Sequence, residues 1–131
     1  MKEITRINHV GLRITDLAIA RPFYEKLGFE FIAGPLGPEP VAIMEHPSGV
    51  NINFILNAPK GSNVNMLMDV PEKHTGFTHV ALEVTDLAAV QEELAKLGFP
   101  LTGGPITTDE GATFIFIRDP DGNVIEFHKP A

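Results

Sequence analysis

The sequence predicts an α+β fold made of two βαβββ modules in tandem. Three observations carry that prediction: an internal repeat, strand-like alternation of apolar residues, and one helical stretch in each half of the 131-residue chain. Asn8 to Phe29, NHVGLRITDLAIARPFYEKLGF, lies over Thr78 to Phe99, THVALEVTDLAAVQEELAKLGF, with 11 identities in 22 positions at a fixed offset of 70. Such a match marks a duplication. It continues through Gly34-Pro35 and Gly104-Pro105, and HPSGVNINF (His46 to Phe54) then lies over DPDGNVIEF (Asp119 to Phe127). The first module is read as residues 1–57 and the second as 77–131. The Pro, Gly and Asn-rich stretch 58–76 is read as a linker.

Each element has a local reason. Arg6 to Ile14 alternates, with Val10, Leu12 and Ile14 on one face and Ile7, His9, Gly11 and Arg13 on the other, which predicts a strand. Asp16 is placed to cap a helix ending near Leu27, and Gly28 supplies its left-handed stop. Strands are expected around Glu30 to Ala33, Val41 to Glu45 and Asn51 to Leu56, the last two joined by the turn His46-Pro47-Ser48-Gly49. The second module repeats the order: a strand at Phe77 to Val84, a helix at Asp86 to Leu97, then strands near Leu101, at Ala112 to Ile117 and at Val124 to His128. Its tight turn is Asp119-Pro120-Asp121-Gly122. One helix per four strands covers only one face of a sheet, so the other face must curl on itself or meet a partner.

Composition narrows the function classes. Ten basic residues against seventeen acidic ones give a formal charge of −7, and the basic residues are scattered singly. Nucleic acid and anionic membrane surfaces call for clustered positive charge, so neither is an expected partner. Without cysteine there is no disulfide framework, thiolate metal site or thiol nucleophile, and any metal must take nitrogen and oxygen ligands. The opening MKEITRINHVGL has no apolar signal core, and no apolar run approaches the roughly 18 residues that span a bilayer. The expectation is a soluble, unprocessed cytoplasmic protein. Its 44% apolar residues suffice for a core at this length.

The alternation also sorts chemistry by face. If Val10, Leu12, Ile14 and Val80, Leu82, Val84 pack under the helices, His9 and His79 point away from them. In the last strand Ile125 and Phe127 face the helix, while Val124, Glu126 and His128 share the other side. In the matching first-module strand Asn51, Asn53 and Asn57 take that side, and the repeat lays Asn53 over Glu126. His9, His79 and Glu126 together form the donor set of a 2-His-1-carboxylate site, suited to iron(II), manganese or zinc. An inward carboxylate among Val, Ile and Phe needs an arginine, a histidine or a cation as partner, and Arg13 on the same face offers a salt bridge instead. Arg13 is a candidate for an acidic substrate group or for pairing with its repeat mate Glu83. Asn51 and Asn53 are candidate substrate hydrogen bonders, because unpaired amides in a strand interior are costly. His46, His74 and His128 read as surface or structural, and Asp119 and Asp121 as turn residues. Met66, Leu67 and Met68 read as a lid, as filler under a loop or as subunit contact surface.

At these residues the chain resembles the vicinal oxygen chelate superfamily, the glyoxalase, bleomycin-resistance and dioxygenase group. The likeness lies in the module openings INHVGLRITDL and FTHVALEVTDL, the helix ends FYEKLGF and ELAKLGF, and the closing DPDGNVIEFH. It implies modules curling into a barrel-like, eight-stranded mixed sheet, helices outside, around a divalent metal. It also implies an enzyme that chelates a small oxygenated substrate, with ligands at His9, His79 and Glu126 and Glu126 as the catalytic carboxylate. The implied ion is one Fe2+, Mn2+, Zn2+ or Ni2+ per site.

Where glyoxalase I enzymes carry a glutamate base, this chain has Asn53. An amide accepts no proton at neutral pH, so the lactoylglutathione lyase mechanism lacks its usual base. A three-ligand site resembles the extradiol dioxygenases and the manganese-dependent fosfomycin-resistance transferases. Against the latter, TTDEGATFIFIRD offers only Arg118 for a phosphonate. Other lyase, isomerase or thiol transferase chemistries stay open, as does a metal-free, bleomycin-resistance-type drug-binding protein. The resemblance further implies a homodimer, with the metal site held within one chain or shared between two.

Overall fold

The computed structural model describes residues 1–61 and 64–131. Ser62 and Asn63 of the expected linker lie outside the described residues. The chain divides into two compact units, Met1–Asn63 and Val64–Ala131. The first holds β1 (Val10–Arg13), α1 (Leu17–Lys26), β2 (Glu30–Leu36), β3 (Val41–Glu45) and β4 (Asn51–Ile55). The second holds β5 (His79–Glu83), α2 (Leu87–Leu97), β6 (Gly103–Thr107), β7 (Thr113–Arg118) and β8 (Val124–Lys129). This is βαβββ twice, an α+β fold with a four-stranded mixed sheet in each unit, ordered β1-β4-β3-β2 and β5-β8-β7-β6. The first strand of each module runs parallel to the last, and the other pairings are antiparallel. Among the described residues no helix is long and apolar enough to cross a membrane.

The two helices start and stop as their sequences dictate. Asp16 is extended and its carboxylate accepts the Ala18 N–H at 2.9 Å, while Asp86 does the same for Ala89 at 3.0 Å. Gly28 and Gly98 end the helices with φ of 93° and 74°, a region costly for residues with a Cβ. In the first unit Ala20, Phe23 and Tyr24 of α1 are buried, as are Ala42, Met44, Ile52 and Phe54 of the sheet, and the Tyr24 and Phe54 rings lie 4.9 Å apart. In the second unit Leu87 and Leu94 of α2 are buried with Ile115, Ile117, Ile125 and Phe127.

Most strands differ from their expected bounds by a few residues, and the starts of β1 and β5 have a clear cause. β1 starts at Val10 rather than Arg6, and β5 at His79 rather than Phe77, because the partner strands begin only at Asn51 and Val124 and leave earlier residues nothing to pair with. Ile7 and its repeat mate Phe77 are accordingly 80% and 100% exposed. The strand expected near Leu101 is β6, and its first ladder bond runs from Thr102 N–H to the Phe116 carbonyl at 2.8 Å.

Both units use the same close approach of backbones beside their third strand. A Cβ on Gly34 would lie 2.6 Å from the Val41 carbonyl oxygen, and one on Gly104 would lie 2.6 Å from that of Phe114. Both glycines also have positive φ, 127° and 81°. Gly104→Ala is expected to cost at least about 1–3 kcal/mol from backbone strain alone. Urea unfolding measures it, and an unchanged midpoint would contradict this account.

Residues 65–69 are fastened to the β7–β8 turn. Arg118 donates to both Asp69 carboxylate oxygens, at 3.0 and 3.1 Å, and to the Gly122 carbonyl at 2.7 Å; Asn65 Nδ2 donates to that same carbonyl at 3.0 Å. The Arg118 guanidinium holds the Asp69 carboxyl below its ordinary range. A carboxyl lowered on folding stabilises the protein above its unfolded pKa of about 3.9, and that contribution is lost as pH falls through the folded value. Asp69→Asn is therefore expected to lower stability at neutral pH and flatten its acid-side decline, as measured by denaturation between neutral and acid pH. Equal slopes for the two proteins would refute the coupling.

Candidate metal centre and ligand face

In the second unit the sheet face away from α2 carries a carboxylate between two imidazoles. β5 and β8 are parallel, with His79 opposite Val124 and Ala81 opposite Glu126, so alternation sets His79, Glu126 and His128 on one face. Glu126 is 7% exposed. Its Oε2 lies 3.0 Å from His79 Nε2, and its Oε1 lies 2.7 Å from His128 Nδ1. A carboxylate oxygen accepts, so His128 Nδ1 donates to Oε1, while His79 Nε2 meets Oε2 at ion-pair distance. Thr78 Oγ1 stands 2.9 Å from His79 Nδ1. Phe114 and Phe116 of β7 wall the same face: His128 stacks on Phe114 with centroids 5.7 Å apart and planes at 4°, and His79 meets Phe116 edge-on at 6.0 Å.

In the first unit His9 immediately precedes β1 and is exposed. Its Nδ1 donates to Asn8 Oδ1 at 2.8 Å, which leaves the Nε2 lone pair free. Asn53 stands opposite Gly11 and Ile43. Asn51 Oδ1 is buried and has no hydrogen-bond partner in this structure. Arg13 Nε donates to Asn57 Oδ1 at 2.8 Å, Asn57 donates to Glu39 at 2.8 Å, and the guanidinium lies 3.8 Å from that carboxylate. Its close partners are thus Asn57 and Glu39.

The remaining histidines serve locally. His46 Nδ1 takes the Ser48 N–H at 3.1 Å and its ring packs 5.4 Å from Phe29, while His74 is 3.9 Å from Glu72. Asp119 accepts from the Asp121 and Asn123 backbone and from the Asn123 side chain, each at 2.9 Å, which is turn chemistry. A shallow depression of about 370 Å³ beside α2, lined by Leu94, Phe99 and Leu101 among others, has no ionisable side chain in its lining.

The structure therefore brings His79 and Glu126 together. His9 belongs to the first unit, so the expected triad draws on both. Among the described residues no group of three or more His, Asp or Glu forms a metal-ligand cluster. Sequence reasoning passed over two features of this face. His128 reads as structural or surface until its contact with Glu126 is seen, and the aromatic wall was legible only as the alternation of Phe114-Ile115-Phe116-Ile117.

The class of protein is defined by a βαβββ unit used twice, which in its second copy sets an exposed His79 against the buried Glu126 on the sheet face opposite its helix. The chain belongs to the Glyoxalase/Bleomycin resistance protein/Dioxygenase superfamily, whose family model matches residues 6–127. Among solved structures it is similar to SMU.1112c, with 26% identity over 96% of this chain and 99% of that one and a TM-score of 0.78. A glyoxalase/dioxygenase from Nostoc punctiforme is 18% identical over 98% and 93%, with a TM-score of 0.76. TnmS3, an antibiotic binding protein from Streptomyces sp. CB03234, is 22% identical over 98% of each chain, with a TM-score of 0.73. The last two share the fold. No curated protein matches the chain.

Proposed function

We propose that the protein is a divalent-metal-dependent enzyme acting on a small oxygenated substrate, of dioxygenase type, with His9, His79 and Glu126 as ligands. The observation that carries this is the 3.0 Å separation of His79 Nε2 and Glu126 Oε2 on a buried carboxylate. Donors that bind one cation at about 2.0–2.2 Å each come within a few ångströms of one another, so a nitrogen and an oxygen already this close could be held by a shared metal. The nitrogen and oxygen donors suit Fe2+, Mn2+, Zn2+ or Ni2+. Thr78 fits as well: a hydroxyl both donates and accepts, so it supports His79 whichever ring nitrogen carries the proton. His9, with Nδ1 committed to Asn8, has Nε2 free as the third donor.

A bound metal would supply Lewis acidity, stabilising negative charge on substrate oxygens. The chain's own residues would do the rest. Asn51 Oδ1, a buried acceptor without a donor, would take a substrate O–H or N–H. Asn53 would hydrogen-bond substrate but remove no proton, which disfavours the glutamate-base lyase route. Arg13, braced by Asn57 and Glu39, would meet an acidic substrate group. Phe114 and Phe116 offer ring faces to a planar substrate, which favours an aromatic diol. The same wall supports a second reading, a drug-binding protein that needs no metal. We place the working form as a cytoplasmic homodimer; a monomeric mass by light scattering at full metal occupancy would rule out a site shared between chains.

Anaerobic calorimetry with each of the four metals, followed by oxygen uptake with catechols, tests the proposal. The expected result is tight binding of one metal class and metal-dependent turnover. Tight binding of an aromatic ligand indifferent to chelators, with no metal bound, would replace this reading with the second one.

A further inference from the structure

The two oxygens of Glu126 are not equivalent. Oε2 faces His79 Nε2, whereas Oε1 is engaged by His128 Nδ1 at 2.7 Å, at the short end of charge-assisted N–H···O bonds. His128 is held for this contact. It lies two residues along β8 on the same face, opposite Phe114 in the β7–β8 register, and its ring is stacked flat on that phenyl. A free glutamate side chain turns about three torsions and offers a cation one oxygen or two; here one oxygen is already spoken for.

We propose that His128 is a positioning residue for Glu126. Its Nδ1–H occupies Oε1, fixes the carboxylate plane and presents Oε2 alone beside His79, so that Glu126 engages a divalent cation through a single oxygen. The inference rests on the metal reading above and adds a residue to it that touches neither metal nor substrate. Thr78 and Asn8 stand behind His79 and His9 in the same way, so each of the three donors has its own hydrogen-bonding partner.

The test is calorimetric titration of Co2+ into the full chain and into His128→Phe, His128→Asn and Glu126→Gln, with the visible absorption of bound cobalt as the coordination readout. Phe keeps a ring to stack on Phe114 and deletes the donor; Asn restores an N–H near the Nδ1 position and deletes the ring. Expected are loss of binding in Glu126→Gln, a roughly 10–100-fold weaker Kd with an altered cobalt spectrum in His128→Phe, and recovery of most affinity in His128→Asn. Wild-type affinity and spectrum in His128→Phe would overturn the positioning role while leaving the metal reading intact. Equal weakening in both His128 variants would also overturn it, assigning the loss to the stacked ring. Absence of cobalt binding by the unaltered chain would overturn both.

Discussion

Phe54→Ala is expected to lower stability by about 3–5 kcal/mol, the range for deleting a fully buried phenyl. Phe54 has no exposed surface, lies on β4 between β1 and β3, faces Leu12 and Ala42 in register, and packs its ring 4.9 Å from Tyr24. The cavity would open at the centre of the first unit, walled by rigid strands that cannot collapse into it. Asn53 and Ile55 flank Phe54 on the opposite face, so the variant should also loosen the ligand face. Urea unfolding followed by Tyr24 fluorescence measures the loss. A change under about 1 kcal/mol would mean that this phenyl does not anchor the unit.

Glu126→Gln is expected to lower divalent-metal affinity by about two orders of magnitude or more, equivalent to at least about 2.7 kcal/mol. The amide keeps the shape and removes the charge, leaving both imidazoles facing a weak acceptor on a 7% exposed side chain. Glu93→Gln is the control, since that carboxylate pairs with Lys96 on the surface of α2. It should leave the affinity untouched. Comparable affinity in Glu126→Gln and the unaltered chain would remove Glu126 from the ligand set.

Much of this was legible because the decisive signals are local. Asp16 with Gly28 and Asp86 with Gly98 bracket their helices by cap chemistry, and a period of two puts Glu126 and His128 on one face of the last strand and turns His79 away from the apolar face of its own. The strand starts were not legible. Where a ladder begins depends on where its partner begins, and Ile7 and Phe77 alternate correctly yet have nothing opposite them. Nor was the Arg118–Asp69 pair, which spans 49 residues between two elements whose proximity only the fold creates. Arg13 shows the same limit: its contacts within the first unit run to Asn57 and Glu39, residues far along the chain that alternation does not bring to it. His128 was visible as a face and not as a contact, since alternation says which way a side chain points and a torsion angle decides what it touches.

The central claim is that His79 and Glu126 share a cation. Anomalous diffraction at the cobalt edge, from crystals grown with Co2+, addresses it directly. The account predicts a peak within about 2.3 Å of both His79 Nε2 and Glu126 Oε2, the range of metal–ligand bonds. A map with no peak there, with the imidazole and carboxylate still in direct contact at saturating cobalt, would contradict it.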